Sequence, residues 1–203
     1  LGGFDSDTTF VLMTPAGTAP GRYDLALVVY DPQTGQPLPA VTAGSAGSQI
    51  KLGQVEVTRP AQSPPEQPAL ADFGAIHLVE ATTPATLVSP GDIIPLDLLW
   101  QAAAGYSAEP LVVVVQLLEE SGVVVASLEE EPLQGRRPTV AWQPGELVRD
   151  RHRLNVPAGA EAGDYRLVVG LYRAADGERL SATGHPLGGA KKDLVELKKI
   201  TVR

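Results

Sequence analysis

Apolar and polar residues alternate along two separate stretches of the chain, which is the pattern of a strand with one buried face. In the first stretch the apolar positions are Tyr23, Leu25, Leu27 and Val29. In the second they are Tyr165, Leu167, Val169 and Leu171. No part of the chain shows the apolar spacing of an amphipathic helix. The pattern therefore predicts an all-β protein.

The two alternating stretches belong to an internal repeat. The sequence PAGTAPGRYDLALVVY at residues 15–30 returns as PAGAEAGDYRLVVGLY at residues 157–172, an offset of 142 positions. After a loop that is three residues longer in the second copy, residues 50–57 match residues 195–202. The apolar phase of these last segments slips by one residue, so we expect a β-bulge in each copy. We interpret the repeat as a duplicated half of one β module.

Further short strands precede the second copy, with turn signals between them. The segment Leu111–Leu118 is rich in valine and almost wholly apolar, which is typical of a central strand buried on both faces. The other predicted strands in this region are residues 76–80, 93–100, 123–128, 139–142 and 147–156. Many short strands separated by turns are typical of an antiparallel β-sandwich of the immunoglobulin-like kind.

The repeat and a proline-rich segment divide the chain into three predicted parts. Residues 1–58 form the C-terminal half of a β-sandwich module, residues 59–70 form a stiff proline-rich linker, and residues 71–203 form a complete module. The first copy begins at the equivalent of a turn inside the second module, so it lacks a counterpart of residues 71–144. We expect an upstream half-module, the second module or a neighbouring chain to cover its apolar face and strand edges.

Composition removes several classes of function. The 203 residues carry a net charge of −8 and have a pI near 4.9, so a nucleic-acid-binding surface is not expected. There is no cysteine, which excludes disulfides and thiolate chemistry. No apolar run approaches the ~20 residues of a membrane helix. The chain opens Leu-Gly-Gly-Phe, and we expect it to be a processed or excised piece of a larger protein.

Residues that could carry catalysis are scattered along the chain. His77, His152 and His185 lie in different predicted elements, and none has a second histidine at metal-ligand spacing. No G-x-S-x-G motif marks a nucleophile. Glu119 and Glu120 close a strand before a turn, where acidic side chains keep an edge soluble. We therefore predict a non-enzyme without catalytic, cofactor-binding or metal-binding residues.

Two ligand types remain open as alternatives. Calcium takes loop oxygens, which several acidic residues in or beside loops could supply: Asp92, Asp97, Asp164, Asp176 and Glu178. A sugar could stack on an exposed aromatic ring. Tyr106 lies in a loop and is expected to be free, whereas Trp100 and Tyr165 share the phase of core residues. The alternating run Arg149–Arg153 is typical of a solvated strand face.

The second module resembles a known family in its turn and strand punctuation. The matching segments are Ser89–Trp100, Val113–Leu118, Pro138–Glu146 and Pro157–Tyr172. Together they resemble the immunoglobulin-like sandwich modules at the extracytoplasmic C-terminus of bacterial membrane glycosyltransferases of the protein-mannosyltransferase type. The likeness covers about residues 85–202, and its back half covers residues 3–57 again. It implies a sandwich fold and an extracytoplasmic setting, but the family's catalytic residues lie in membrane parts and none is carried over.

These observations predict a non-catalytic, extracytoplasmic β-sandwich segment of a larger surface or membrane-associated protein, serving spacing, interaction or assembly. The expected partner is another protein or a neighbouring chain. One alternative is a carbohydrate-binding module, which would need an exposed aromatic platform or a calcium-bound loop cluster. The other is a structural subunit of a surface assembly or filament whose half-module is completed by strands from a neighbouring chain, as in β-augmentation.

Overall fold

The computed structural model of the protein describes residues 12–42, 45–59, 65–184 and 193–203. These residues fall into two compact units. The small unit comprises residues 19–59, and the large unit comprises residues 12–18 together with the chain from residue 65 onward. Both units are built from strands, so the all-β prediction is confirmed. The predicted division at residues 58 and 70 stays a prediction.

The small unit contains two antiparallel strand pairs within its described residues. Its strands are β1 (Gly21–Leu27), β2 (Ala40–Thr42), β3 (Ser45–Gly47) and β4 (Ile50–Val57). β1 pairs with β4, and β2 pairs with β3. After β1 the chain reverses at a turn in which Gly35 has a φ of 68°, a value that favours glycine.

The large unit is a sandwich of two five-stranded sheets. Its strands are β5 (Ala71–Asp72), β6 (Ile76–Thr82), β7 (Leu87–Val88), β8 (Ile93–Ala102), β9 (Leu111–Glu119), β10 (Val124–Glu130), β11 (Leu147–Asn155), β12 (Gly163–Arg173), β13 (Thr183–Gly184) and β14 (Val195–Val202). One sheet has the order β10-β9-β12-β14-β7, and the other has the order β11-β8-β6-β5-β13. Neighbouring strands are antiparallel except β14 and β7, which are parallel.

Side chains from both sheets of the large unit meet in one hydrophobic core. Trp100 of β8 and Leu117 of β9 are among its fully buried members. The ring of Phe73 meets that of Trp100 edge-on, with ring centroids 6.0 Å apart. Tyr165 of β12 is buried as well, so the prediction that Trp100 and Tyr165 belong to the core is confirmed.

Strand β9 is buried on both faces, as its continuous apolar sequence predicts. One face contributes Val113, Val115 and Leu117 to the main core. The opposite face belongs to a second cluster of buried residues, which consists of Val114, Leu118, Val168 and Leu194. β9 lies between β10 and β12 in its sheet, so its backbone groups are paired on both edges.

One predicted strand has a different structure. Residues 139–142 were expected to be extended, but Thr139–Ala141 form a single turn of 3₁₀ helix that follows Pro138. The hydroxyl of Thr139 accepts a hydrogen bond from the backbone N–H of Leu111 at 2.8 Å. Its carbonyl oxygen accepts one from the hydroxyl of Tyr106 at 3.0 Å. These contacts with the loop before β9 fix the turn.

Candidate functional site

The β1–β4 pair of the small unit has the same register as the β12–β14 pair of the large unit. Pairing begins with Gly21 opposite Val57 in one pair and with Gly163 opposite Val202 in the other. In both, the register shifts after the fifth residue of the first strand. The bulge predicted in each copy is therefore confirmed, and the shared register supports the inferred duplication.

Two further details recur at the same offset. A tyrosine hydroxyl donates to a backbone carbonyl oxygen four residues earlier: Tyr23 to Ala19 at 2.6 Å and Tyr165 to Glu161 at 2.8 Å. A single β-bridge closes the hairpin that follows: Tyr30–Pro37 in the small unit and Tyr172–Arg179 in the large unit. The two segments thus have the same local backbone structure although their side chains differ.

The two copies differ in how far their apolar faces are covered. The β1–β4 face consists of Tyr23, Leu25, Leu27 and Val55, which lie on one side of the two-stranded sheet. Tyr23 is 39% exposed, Leu27 is 40% exposed and Val55 is 42% exposed. Their counterparts in the large unit are buried: Tyr165, Val169 and Ile200, at 4%, 0% and 0% exposure. The small unit therefore presents to solvent a face that the large unit places in its core.

The edge of β1 next to this face is also open. In the large unit, β12 pairs along its other edge with β9, from Tyr165 to Arg173. In the small unit, β1 is hydrogen-bonded to β4, and no third strand joins this sheet within the described residues. An apolar face and an unpaired strand edge therefore adjoin in one element, the combination that favours association with another polypeptide.

The polar side of the same sheet bears charge. The carboxylate of Asp24 lies 2.8 Å from the ammonium nitrogen of Lys51 and accepts a hydrogen bond from the amide nitrogen of Gln54 at 2.9 Å. The hydrogen bond from Lys51 and that from Gln54 lower the pKa of Asp24. Asp24 is therefore ionised at neutral pH.

A second candidate is a buried polar pair on β11 in the large unit. Nε2 of His152 lies 2.7 Å from Oδ2 of Asp150, and neither side chain is exposed. Nδ1 of His152 lies 3.5 Å from Oε2 of Glu130, which belongs to β10. Burial disfavours the imidazolium, but the hydrogen bond with Asp150 and the charges of Asp150 and Glu130 outweigh it and raise the pKa of His152.

Asp150 also anchors the loop that follows β10. Its Oδ1 accepts the backbone N–H of Leu133 at 2.8 Å. Leu133 and Gln134 have φ values of 54° and 53°, in the left-handed region that non-glycine residues rarely occupy. The side-chain amide of Gln134 donates to the carbonyl oxygen of Arg151 at 2.8 Å. The buried pair therefore fixes a strained loop against β11, which favours a structural role over a catalytic one.

The prediction of a solvated face for residues 149–153 is wrong for two of the five. The alternation itself is present, but Asp150 and His152 point into the core in the same phase as Val148 and Leu154. Sequence reasoning missed this pair although the signal was available, because alternate positions of a strand share a face.

Arg149, on the outward phase of β11, joins three elements of the large unit. Its Nη1 lies 2.6 Å from Oδ1 of Asp97 on β8, and its Nη2 lies 3.1 Å from Oε2 of Glu80 on β6. Its Nε donates to the carbonyl oxygen of Ala16 at 2.9 Å, and its backbone N–H donates to that of Gly17 at 2.8 Å. The turn at residues 15–18 is thereby attached to the edge of β11.

Among the described residues, His77 belongs to no group that could hold a metal ion. Nδ1 of His77 lies 3.3 Å from Glu66 and Nε2 lies 3.5 Å from Asp72, so both ring nitrogens face carboxylates. His185 lies outside the described residues. Glu119 ends β9, as expected, and accepts a hydrogen bond from the hydroxyl of Ser121 at 3.0 Å.

The acidic residues considered for calcium are used locally. Their partners are Ser89 N–H for Asp92, Arg149 and Arg151 for Asp97, the Thr201 hydroxyl for Asp164, Glu178 N–H for Asp176, and Arg173 for Glu178. Among the residues that the structure describes, no group of three or more His, Cys, Asp or Glu side chains is placed to hold a metal ion.

The expectation that Tyr106 is free is wrong. Its ring is buried against the core, because its hydroxyl donates to the carbonyl oxygen of Thr139 and so folds the loop inward. Trp142 is buried as well, and its indole N–H donates to the carbonyl oxygen of Arg137 at 3.0 Å. The largely exposed aromatic rings of the described chain are Tyr23 and Tyr30, both in the small unit.

Comparison with known proteins gives similarity of architecture only. No protein-family model and no curated protein matches the chain. The C-terminal domain of Wzt is 14% identical, with a TM-score of 0.42 over 71% of this chain and 82% of that one. The CARDB domain of the PF1109 protein from Pyrococcus furiosus is 11% identical, with a TM-score of 0.37 over 68% of this chain and 97% of that one. A Niemann-Pick type C2 protein from Japanese carpenter ant is 7% identical, with a TM-score of 0.39 over 62% and 91%.

Likeness at this level extends to β-rich architecture and carries no information on function. Among the described residues there is also no helix with the length and apolar character needed to cross a bilayer.

Proposed function

We propose that this chain is a non-catalytic β-sandwich segment that acts through protein–protein interaction or assembly, and that the β1–β4 face is its contact surface. The observation that carries the proposal is the exposure of Tyr23, Leu27 and Val55, at positions equivalent to core residues of the large unit.

The energetics of β-sheets support this assignment. An isolated two-stranded sheet is marginally stable in water, and a hydrophobic face against a third layer or further strands is needed for independent stability. Removing apolar surface from water contributes roughly 25 cal/mol per Å². A partner that covered the β1–β4 face would therefore stabilise the small unit and gain affinity from the same burial.

The polar clusters support a non-catalytic role. The buried pair Asp150–His152 is engaged with a loop and with Glu130, and it lies inside the core rather than in an open cleft. The carboxylates of Asp92, Asp97 and Asp164 are each engaged with a neighbouring group. A catalytic site requires titratable groups that converge on a shared space for substrate, and these groups do not.

The proposal includes the setting that the sequence resemblance implies: an extracytoplasmic segment of a larger surface or membrane-associated protein. A sandwich without disulfides is compatible with such a setting. The resemblance to extracytoplasmic modules of membrane glycosyltransferases supports it, and an exported partner would be its consequence.

Site-specific photo-crosslinking in the cells that express the protein tests the proposal. A photoreactive residue in place of Leu27 should give a discrete adduct with one exported protein, identified by mass spectrometry and reproduced with the two purified proteins. The matched control is Val140, which is 46% exposed on the large unit and should give no adduct. Absence of an adduct at Leu27, or the same adducts at both positions, would contradict the proposal.

A further inference from the structure

The open edge of β1 has a template in the same chain, because the equivalent edge of β12 is occupied. β9 pairs with β12 in antiparallel register from Tyr165 opposite Glu119 to Arg173 opposite Leu111. At the offset of 142 positions, this edge corresponds to Tyr23–Asp31 of the small unit. β9 also contributes Val113, Val115 and Leu117 to the core beside β12. One strand in this position therefore satisfies the backbone of the edge and covers part of the adjoining apolar face.

We propose that β1 accepts an extended segment of another protein chain, which pairs antiparallel along Tyr23–Asp31 as β9 pairs along β12. The inference rests on the proposed function, since it specifies how the β1–β4 face is engaged. The segment needs apolar side chains at alternate positions, facing the same side as Leu25 and Leu27. Its main chain supplies the hydrogen bonds that the β1 edge lacks.

Charge distinguishes the expected segment from a copy of β9. On β12, Nε of Arg173 lies 2.7 Å from Oε1 of Glu109, before β9. Nη2 of Arg166 donates to the carbonyl oxygens of Glu119 and Glu120, at the other end of β9, at 3.3 and 3.4 Å.

Both arginines are replaced by acidic residues in the small unit, where Asp24 corresponds to Arg166 and Asp31 corresponds to Arg173. Oδ1 of Asp31 accepts the backbone N–H groups of Gln33 and Thr34, contacts that leave its negative charge in place. Asp24 is already paired with Lys51, so the charge left for a partner is that of Asp31. A segment with lysine or arginine beside Asp31 therefore complements β1, whereas a segment with glutamate there, as β9 has in Glu109 beside Arg173, does not.

A separate protein is favoured over a second copy of this chain. A second β1 strand added to the edge would extend the sheet, but it would bring another uncovered apolar face with it. In the antiparallel register that sets Leu25 opposite Leu25 of the second copy, Asp31 would face Ala19 of that copy. No basic residue of the second β1 strand would then lie beside Asp31. The acidic Asp31 end of the β1 edge therefore favours a strand of different sequence.

Peptide binding to the full chain tests the inference. The basic probe is the sequence of residues 109–121 with Glu109 replaced by lysine, labelled for fluorescence anisotropy. The acidic probe is the unaltered sequence. We expect the basic probe to bind about fivefold or more tightly than the acidic probe at low salt, with the preference falling as salt is added. A third probe is the basic probe with serine in place of Val113, Val115 and Leu117, and it should not bind.

Three substitutions in the chain complete the test. Leu27→Asp should weaken the basic probe at least about tenfold because it places a charge in the apolar contact, whereas Val140→Asp should leave its affinity unchanged. Asp31→Lys should shift the preference toward the acidic probe. All three positions are at least partly exposed, and the fluorescence of Trp100 and Trp142 confirms that the large unit remains folded.

Hydrogen exchange locates the bound probe, and protection is expected along β1. Protection confined to the large unit, equal affinity for basic and acidic probes, or equal loss in Leu27→Asp and Val140→Asp would overturn the inference. A stable homodimer in sedimentation, with β1 protected without probe, would overturn it in favour of a second copy. If Leu27 crosslinks to a defined protein but no probe binds, the proposed function stands and strand addition is wrong.

Discussion

Two tyrosines at equivalent positions of the repeat differ in their exposure to solvent. Tyr23 and Tyr165 each donate their hydroxyl hydrogen to a carbonyl oxygen four residues earlier, yet the first ring is exposed and the second is buried. The hydrogen bond depends on neighbouring residues, which the repeat preserves. Burial depends on β9, which pairs with β12 and is remote in sequence from Tyr165, and no third strand joins the sheet of Tyr23 within the described residues. Local geometry at a residue is thus predictable from its own segment, whereas its exposure is not.

At the same scale, His152→Gln isolates the pH dependence of the buried polar pair. The folded-state pKa of His152 is raised by Asp150 on its own strand and Glu130 on β10. Its contribution to stability is therefore complete below about pH 6.5, the ordinary pKa of histidine, and is lost as the pH rises through the folded-state pKa. The free energy of unfolding of the unchanged chain, measured relative to His152→Gln by tryptophan fluorescence in urea, should fall as the pH rises above about 6.5.

Arg153→Gln is the matched control for this experiment, because Arg153 lies next to His152 on β11 and is exposed. The free energy of unfolding of the unchanged chain, measured relative to Arg153→Gln, should not fall in this way as the pH rises. An identical pH dependence in the two variants would show that His152 does not titrate as its surroundings indicate.

At the scale of elements, pattern length decides what the sequence can predict. β9 is a long, continuous apolar strand and β11 and β12 are long alternating strands, and their predicted positions agree with the structure within one or two residues. The four residues 139–142 fit both a strand and a turn. Their conformation is decided by hydrogen bonds of Thr139 with Leu111 and Tyr106, whose distance along the chain hides them from a local pattern. The bulges in β4 and β14 were predictable because a phase slip appears in the sequence itself.

The turn at residues 15–18 is another element whose role depends on a remote contact. Gly17 has a φ of 75°, and a Cβ placed there would lie 2.7 Å from both the backbone nitrogen of Arg149 and Cδ1 of Leu99. Gly17→Ala should therefore destabilise the large unit by about 2–4 kcal/mol, the sum of left-handed strain and a steric clash. Urea unfolding followed by tryptophan fluorescence measures this loss.

Gly177→Ala provides the matched control for the turn. Gly177 has a φ of 73°, but nothing lies within 4 Å of the Cβ position. This variant should lose only the conformational part, about 1–2 kcal/mol. A loss as large as that of Gly17→Ala would mean that the contact with β11 is not responsible.

At the scale of the whole molecule, the repeat is what made the candidate surface predictable. Because the apolar positions of the two copies match, the sequence marks Tyr23, Leu27 and Val55 as equivalents of core residues, and the structure shows that they are exposed. The repeat alignment places Asp24 and Asp31 opposite Arg166 and Arg173, but it could not show that these arginines contact β9 or the residues beside it, which requires the pairing of β9 with β12. The buried pair Asp150–His152 was within reach, because both residues share the phase of Val148 and Leu154.

The two copies also permit a comparison of stability within one chain. β1–β4 and β12–β14 have the same register and bulge, so their backbone hydrogen bonds are matched, but only the second pair lies within a five-stranded sheet over a core. Amide exchange from a marginal two-stranded sheet proceeds through local opening, whereas exchange from a core strand requires a large one. We expect amides of β1 to exchange at least about 100-fold faster than the equivalent amides of β12, which corresponds to about 2.7 kcal/mol or more. Equal protection in the purified chain would mean that the β1–β4 sheet is already covered, and the search for a partner at this surface would then have no basis.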